Sequence, residues 1–115
     1  MFLQRDLATY IANVANLQRN QRRWADALAT YRESLVIYEH LVTTDAINTS
    51  WQRDLAGAYW NIAFIQRDRN EMADARASAA KAREILVKLI TRVPDNKVWN
   101  ADIVELDRQI AARLQ

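Results

Sequence analysis

The sequence predicts an all-α domain in which one helical hairpin is repeated and a last helix closes the stack. Three observations predict it. Gly57 and Pro94 are the only residues of their kinds, whereas an all-β domain needs turn formers every ~8–12 residues. The segment Gln4-Arg5-Asp6-Leu7-Ala8 returns as Gln52-Arg53-Asp54-Leu55-Ala56, and residues 4–51 match 52–99 without gaps at 18 of 48 positions. Within each copy the apolar residues recur at the helical spacing i, i+3, i+4, i+7 rather than alternating.

Each element follows from that period. Leu3, Leu7, Ile11, Val14, Ala15 and Gln18 form one stripe and predict a helix over about 3–20, with that stripe facing the core. Trp24, Ala27, Leu28, Tyr31, Leu35, Tyr38, Leu41 and Val42 predict a second over about 22–44. Trp51, Leu55, Ala58, Ile62 and Ala63 predict a third over about 49–68, and Met72, Ala75, Ala79, Ala82, Leu86 and Leu89 a fourth over about 71–92. Trp99, Ile103, Leu106, Ile110 and Leu114 predict the last, over about 97–114. Asn48 and Asn96 are expected N-caps, since a side-chain amide oxygen can accept the free amide protons of a first turn. Pro94-Asp95 ends the fourth helix. The chain is therefore one domain: a repeat over about 1–48, a second over about 49–96 and a closing helix over about 97–115.

The placement of small residues carries a resemblance. A large-small pair in the first helix (Val14-Ala15, Ile62-Ala63) is followed in the second by Ala27, Tyr31, Ser34 and by Ala75, Ala79, Ala82. This resembles the tetratricopeptide repeat family, although the period is 48 residues against about 34 in that family. Arg22 and Asn70 stand where the family places glycine, and Ala79 where it places an aromatic. Long-period bacterial arrays with a W-Q-R-D-L segment in each repeat are similar to Trp51–Leu55. The resemblance implies a short right-handed α-solenoid whose first helices line a concave side that binds a peptide or helix of a partner protein.

Much chemistry is excluded. A dinucleotide fingerprint or a phosphate-cradling loop needs several glycines; with no cysteine and one histidine, thiolate and two-histidine zinc sites are also absent. No catalytic residue, metal or cofactor is expected. His40 reads as a solvated surface residue, and Asp6, Asp54 and Asp102, one per repeat, as parts of the repeat. A net charge of +2 makes nucleic acid an unexpected partner, even with arginines gathered at the turns (Arg19, Arg22, Arg23, Arg67, Arg69). No apolar run is long enough to span a membrane, and a cytoplasmic protein is expected.

Rotation by ~100° per residue places candidate contacts on the face opposite the core stripe. In the third helix that face carries Gly57, Trp60, Asn61, Phe64, Arg67 and Asp68; in the first, Thr9, Ala12, Asn13, Asn16, Arg19 and Asn20; in the last, Glu105, Arg108 and Gln109. Trp60 and Phe64 are candidate aromatic anchors. Asn13, Asn16, Asn20 and Asn61 could bond a peptide backbone through their amides, and Arg67 and Arg108 complete the set. Alternatively, Trp60 and Phe64 pack between units and the asparagines are solvated. Relatives that clamp a terminal carboxylate join two asparagines with basic residues. Ala12, Glu105 and Gln109 occupy those basic places here, so no such clamp is expected.

A structural reading competes with the binding one. Leu3 occupies the place of Trp51 and Trp99, which leaves the first helix an uncovered flank. That flank suggests a homo-oligomer, or a piece of a longer array pairing through its open end.

Overall fold

A computed structural model describes residues 2–115. It is all-helical: α1 (Phe2–Asn20), α2 (Trp24–Thr44), α3 (Thr49–Asp68), α4 (Met72–Arg92) and α5 (Lys97–Arg113). Every boundary lies within two residues of the position expected from periodicity and caps. No strand occurs among the described residues. α1 pairs with α2 and α3 with α4, while α2 meets α3 and α4 meets α5. The result is two stacked hairpins and a closing helix, a short repeat-like solenoid measuring 37 × 35 × 19 Å.

Two kinds of turn alternate. Between the helices of a hairpin, Arg22 (φ 61°) and Asn70 (φ 64°) adopt the left-handed conformation. At the first such turn, Arg23 N–H donates to Gln18 O at 2.9 Å and Arg22 N–H to Arg19 O at 2.9 Å; at the second, Glu71 N–H donates to Gln66 O and Asn70 N–H to Arg67 O, both at 2.8 Å. Each is a Schellman closure, which satisfies the last carbonyls of the helix. These are the places where the sequence pattern leads one to expect glycine. Between hairpins, Asn48 and Asn96 cap α3 and α5, their side chains accepting from Trp51 N–H and Trp99 N–H at 3.0 Å.

The core is divided by the repeat. Ala15, Ala27, Leu28 and Tyr31 of the first hairpin pack with Ile62 and Ile65 of α3. Ala8, Tyr38 and Leu41 pack with Ala58, flanked by Trp51 and Leu55. On the far side of α3, Ala56 packs with Ala82, Leu86, Leu89, Trp99 and Leu106. Tyr59 adds a polar latch to the α2–α3 contact, its hydroxyl donating to Glu39 Oε1 at 2.9 Å. Burial, then the hydrogen bond and charge of Glu39, push the Tyr59 phenol up to about 12.

One core assignment is corrected. Leu7, expected on the core stripe, is 51% exposed, and Leu3, expected at an uncovered flank, is 83% exposed. α1 has a single packed flank, and these residues lie on the other. Ala15 of the same stripe is fully buried, because it faces α2.

The turns yield a test. An L-residue in the left-handed region costs roughly 1–2 kcal/mol, and Asn tolerates it better than Arg does. Arg22→Gly should therefore raise stability by about 1 kcal/mol, and Asn70→Gly by less, part of each gain being offset by glycine's greater unfolded-state entropy. Urea midpoints of the two variants, at unchanged slope, provide the check.

Candidate binding groove

All five helices contribute to a groove of about 350 Å³. Ala12 enters from α1, Ser34 and Tyr38 from α2, Leu86 from α4 and Asp102 from α5; α3 supplies Arg53, Asp54, Ala56, Gly57, Ala58, Trp60 and Asn61. Five of its lining residues, Ala12, Ser34, Ala56, Gly57 and Ala58, are small. A Cβ built on Gly57 would meet nothing within 4 Å, so glycine there leaves open space rather than relieving a close contact. Helical φ at Gly57 likewise makes no demand for glycine.

The polar wall is set by a ladder of ion pairs. Arg5 Nε donates to Asp54 Oδ2 at 2.7 Å, and Arg53 Nε donates to Asp102 Oδ2 at 2.7 Å, each across 49 residues. The second guanidinium nitrogens reach the other carboxylate oxygens at 3.5 and 3.1 Å. Arg19 repeats the 49-residue step to Asp68 at 3.1 Å. Hydrogen bonding to Asp54 and Asp102, ahead of any other cause, raises the pKa of Arg5 and Arg53 above the usual guanidinium value. Burial raises the Tyr38 phenol, opposed by its hydrogen bond with the Thr9 hydroxyl at 3.3 Å. The wall thus has its charges paired and its Tyr38 neutral.

Of the residues expected to contact a partner, Trp60 and Asn61 line this groove, together with Ala12 and Gly57 of the same predicted faces. Phe64 is a correction. It is only 6% exposed and packs with Ala63, Ala75, Ala79 and Leu114, the Trp60 ring lying 6.2 Å from its own. The reason is that α3 is the central helix, covered by α2, by α4 and by the chain at Leu114, so five consecutive residues from Ile62 to Gln66 are buried. Asn13 and Asn20 are exposed on α1 and lie outside the groove lining. Asn16 is also exposed, and its Oδ1 accepts from the Tyr31 hydroxyl. Arg67 is held by Asp68 at 2.8 Å and Arg108 by Glu105 at 2.7 Å, so neither guanidinium is free.

Two further arginines at the turns are paired, Arg23 with Asp26 at 2.8 Å and Arg69 with Glu71 at 3.5 Å. Among the described residues no cluster of His, Cys, Asp and Glu could hold a metal ion, and no helix is long and apolar enough to cross a membrane.

Sequence reasoning missed Ser34, Tyr38 and Leu86, which it read as packing positions of α2 and α4, and the Arg53, Asp54 and Asp102 wall. The signal for the wall was the recurring Arg-Asp dipeptide. Its donor and acceptor are adjacent, so pairing between copies runs one residue beyond the 48-residue period.

Fold and groove together define a short helical-repeat module. No family model, curated protein or solved structure gives a significant match to the chain.

The ladder predicts modest couplings. Arg5 and Arg53 are more than a third exposed (42% and 49%), so screening reduces each pair despite its forked geometry. Double-mutant cycles on Arg5/Asp54 and Arg53/Asp102 should each give about 0.5–1 kcal/mol, falling in high salt.

Proposed function

We propose that the protein is a non-enzymatic interaction module that holds a short extended segment of a partner protein in this groove. The observation that carries the reading is Gly57. A glycine in a helix interior costs roughly 0.5–1 kcal/mol relative to alanine. Here no neighbour requires it, and its missing side chain leaves open space in the groove.

The surrounding chemistry supports the same reading. Ala12, Ala56 and Ala58 also line the groove and add little side-chain bulk to it. The Asn61 amide can donate to a backbone carbonyl and accept from a backbone N–H. Trp60, partly buried, supplies an apolar surface at the same end. A volume of about 350 Å³ is near the lower end of the roughly 300–1,000 Å³ usual for binding pockets, which suits a few residues rather than a helix. The resemblance to tetratricopeptide repeats adds to this, since that family binds partner segments along its first helices.

Gly57→Leu separates binding from folding. Leucine is a strong helix former and enters open space, so stability should hold or rise while the side chain fills the groove. Peptides selected from a random display library on the natural chain should bind Gly57→Leu at least tenfold more weakly, and Asn61→Ala more weakly as well. Selected peptides that bind both variants as tightly as the natural chain would refute a groove-bound partner.

A further inference from the structure

We infer that the outer face of α1 docks a helical hairpin of this same repeat, one that delivers an arginine to Asp6. The inference stands apart from the groove and does not depend on what the groove binds.

The apolar part of the face is a copy of two faces that are already docked. Leu3, Leu7, Tyr10, Val14 and Leu17 of α1 correspond, 48 residues on, to Trp51, Leu55, Ala58, Ile62 and Ile65 of α3. Those five residues pack against the first hairpin, on Leu28, Tyr31, Tyr38 and Leu41. A further 48 residues on, the first four places become Trp99, Ile103, Leu106 and Ile110. These pack against Ala82, Leu86 and Leu89 of the second hairpin. In α1 four of the five positions are bare: Leu3, Leu7, Tyr10 and Leu17 are 83%, 51%, 67% and 58% exposed, while Val14 is half-buried. Their spacing of 4, 3, 4, 3 is a continuous helix-packing seam about four turns long. Scattered exposed leucines need no explanation, but an aligned row of this kind marks an interaction surface.

The polar part identifies the occupant. Asp54 and Asp102 each receive an arginine from the preceding first helix, 49 residues earlier. Asp6 occupies the same place, is exposed, and has no ion-pair partner among the described residues. Its missing donor is an arginine positioned as Arg5 and Arg53 are. A second copy meeting α1 with its own α1 would offer chiefly Arg5 and Arg19, which Asp54 and Asp68 already hold at 2.7 and 3.1 Å. Nor does α5 supply the donor, since Ala101 stands in the arginine's place. A hairpin of the repeat satisfies both requirements, offering an apolar second helix for the seam and an unclaimed arginine for Asp6.

The test extends the full chain by one further copy of residues 1–48 placed directly before Met1, which sets the added Arg5 49 residues ahead of Asp6. Docking predicts one cooperative urea transition with a higher midpoint than the natural chain, from a protein that sediments as a monomer. Asp6→Ala should lower the midpoint of the extended chain and leave that of the natural chain unchanged. Its effect should vanish when the added arginine is also replaced by alanine. A separate, earlier transition for the added copy would overturn the inference, as would an Asp6→Ala effect equal in both chains. So would a natural chain that dimerises in a manner abolished by Leu7→Glu, which would make a second copy the occupant.

Discussion

Close approach of helices at alanine is the constraint on which the rest of this structure depends. Ala15 with Ala27, and Ala63 with Ala75 and Ala79, are all but completely buried where the two helices of each hairpin meet. Small side chains at a crossing allow axes to approach toward the short end of the usual ~8–10 Å. Hairpins drawn this close can be closed by the left-handed residues Arg22 and Asn70. Close packing within the hairpin also pushes the large residues to its edges. Leu28 and Tyr31 therefore meet Ile62 and Ile65 across the repeat boundary. Much of the apolar burial thus belongs to interfaces between neighbouring units, the energetic signature of a linear repeat.

How much of this was legible in the sequence depends on what each signal reports. Helix bounds and the Asn48 and Asn96 caps were legible because period and capping chemistry are local. The resemblance marked Arg22 and Asn70 as turn positions, and the backbone there keeps the glycine-like conformation without glycine. Burial was legible along α2 and α4, where Ala27, Leu28, Tyr31 and Leu41 and Ala75, Ala79, Ala82 and Leu86 are buried as their stripes predict. Phe64 was misread because a helical wheel assigns one inner side, and α3 has neighbours on several. Leu7 was misread for the opposite reason: periodicity reports that a stripe is apolar, not that anything covers it. In the candidate groove, Ala12, Gly57, Trp60 and Asn61 followed from helix phase. Tyr38 and Ser34 did not, since buried residues of a second helix border the groove only once the hairpins stack.

The adjacency of arginine and aspartate in the recurring segment has geometric consequences. Neighbouring residues on a helix project about 100° apart, so Arg53 reaches forward to Asp102 while Asp54 receives Arg5 from behind. Each first helix in the middle of such a stack carries both a donor and an acceptor. The pairing also shapes the groove. With Arg53 paired to Asp102 and Asp54 to Arg5 along its wall, the remaining polarity comes from Asn61, Ser34 and a neutral Tyr38. Neutral hydrogen-bonding groups suit a peptide backbone better than a charged side chain, whose desolvation they would not offset.

The interfaces share an apolar register but not their polar latches. Where α3 meets α2, the Tyr59 hydroxyl holds Glu39; at the equivalent place in α5, Asp107 holds Arg83 of α4 at 2.8 Å. In α1 that place is Ile11, which can make neither bond. Apolar contacts set how tightly a hairpin docks but discriminate little between similar hairpins, whereas an unmatched polar group selects among them. On the outer face of α1 that discrimination therefore falls to Asp6. Because each docking surface pairs a forward donor with a backward acceptor, the contact is head-to-tail and has no two-fold symmetry to close it into a dimer.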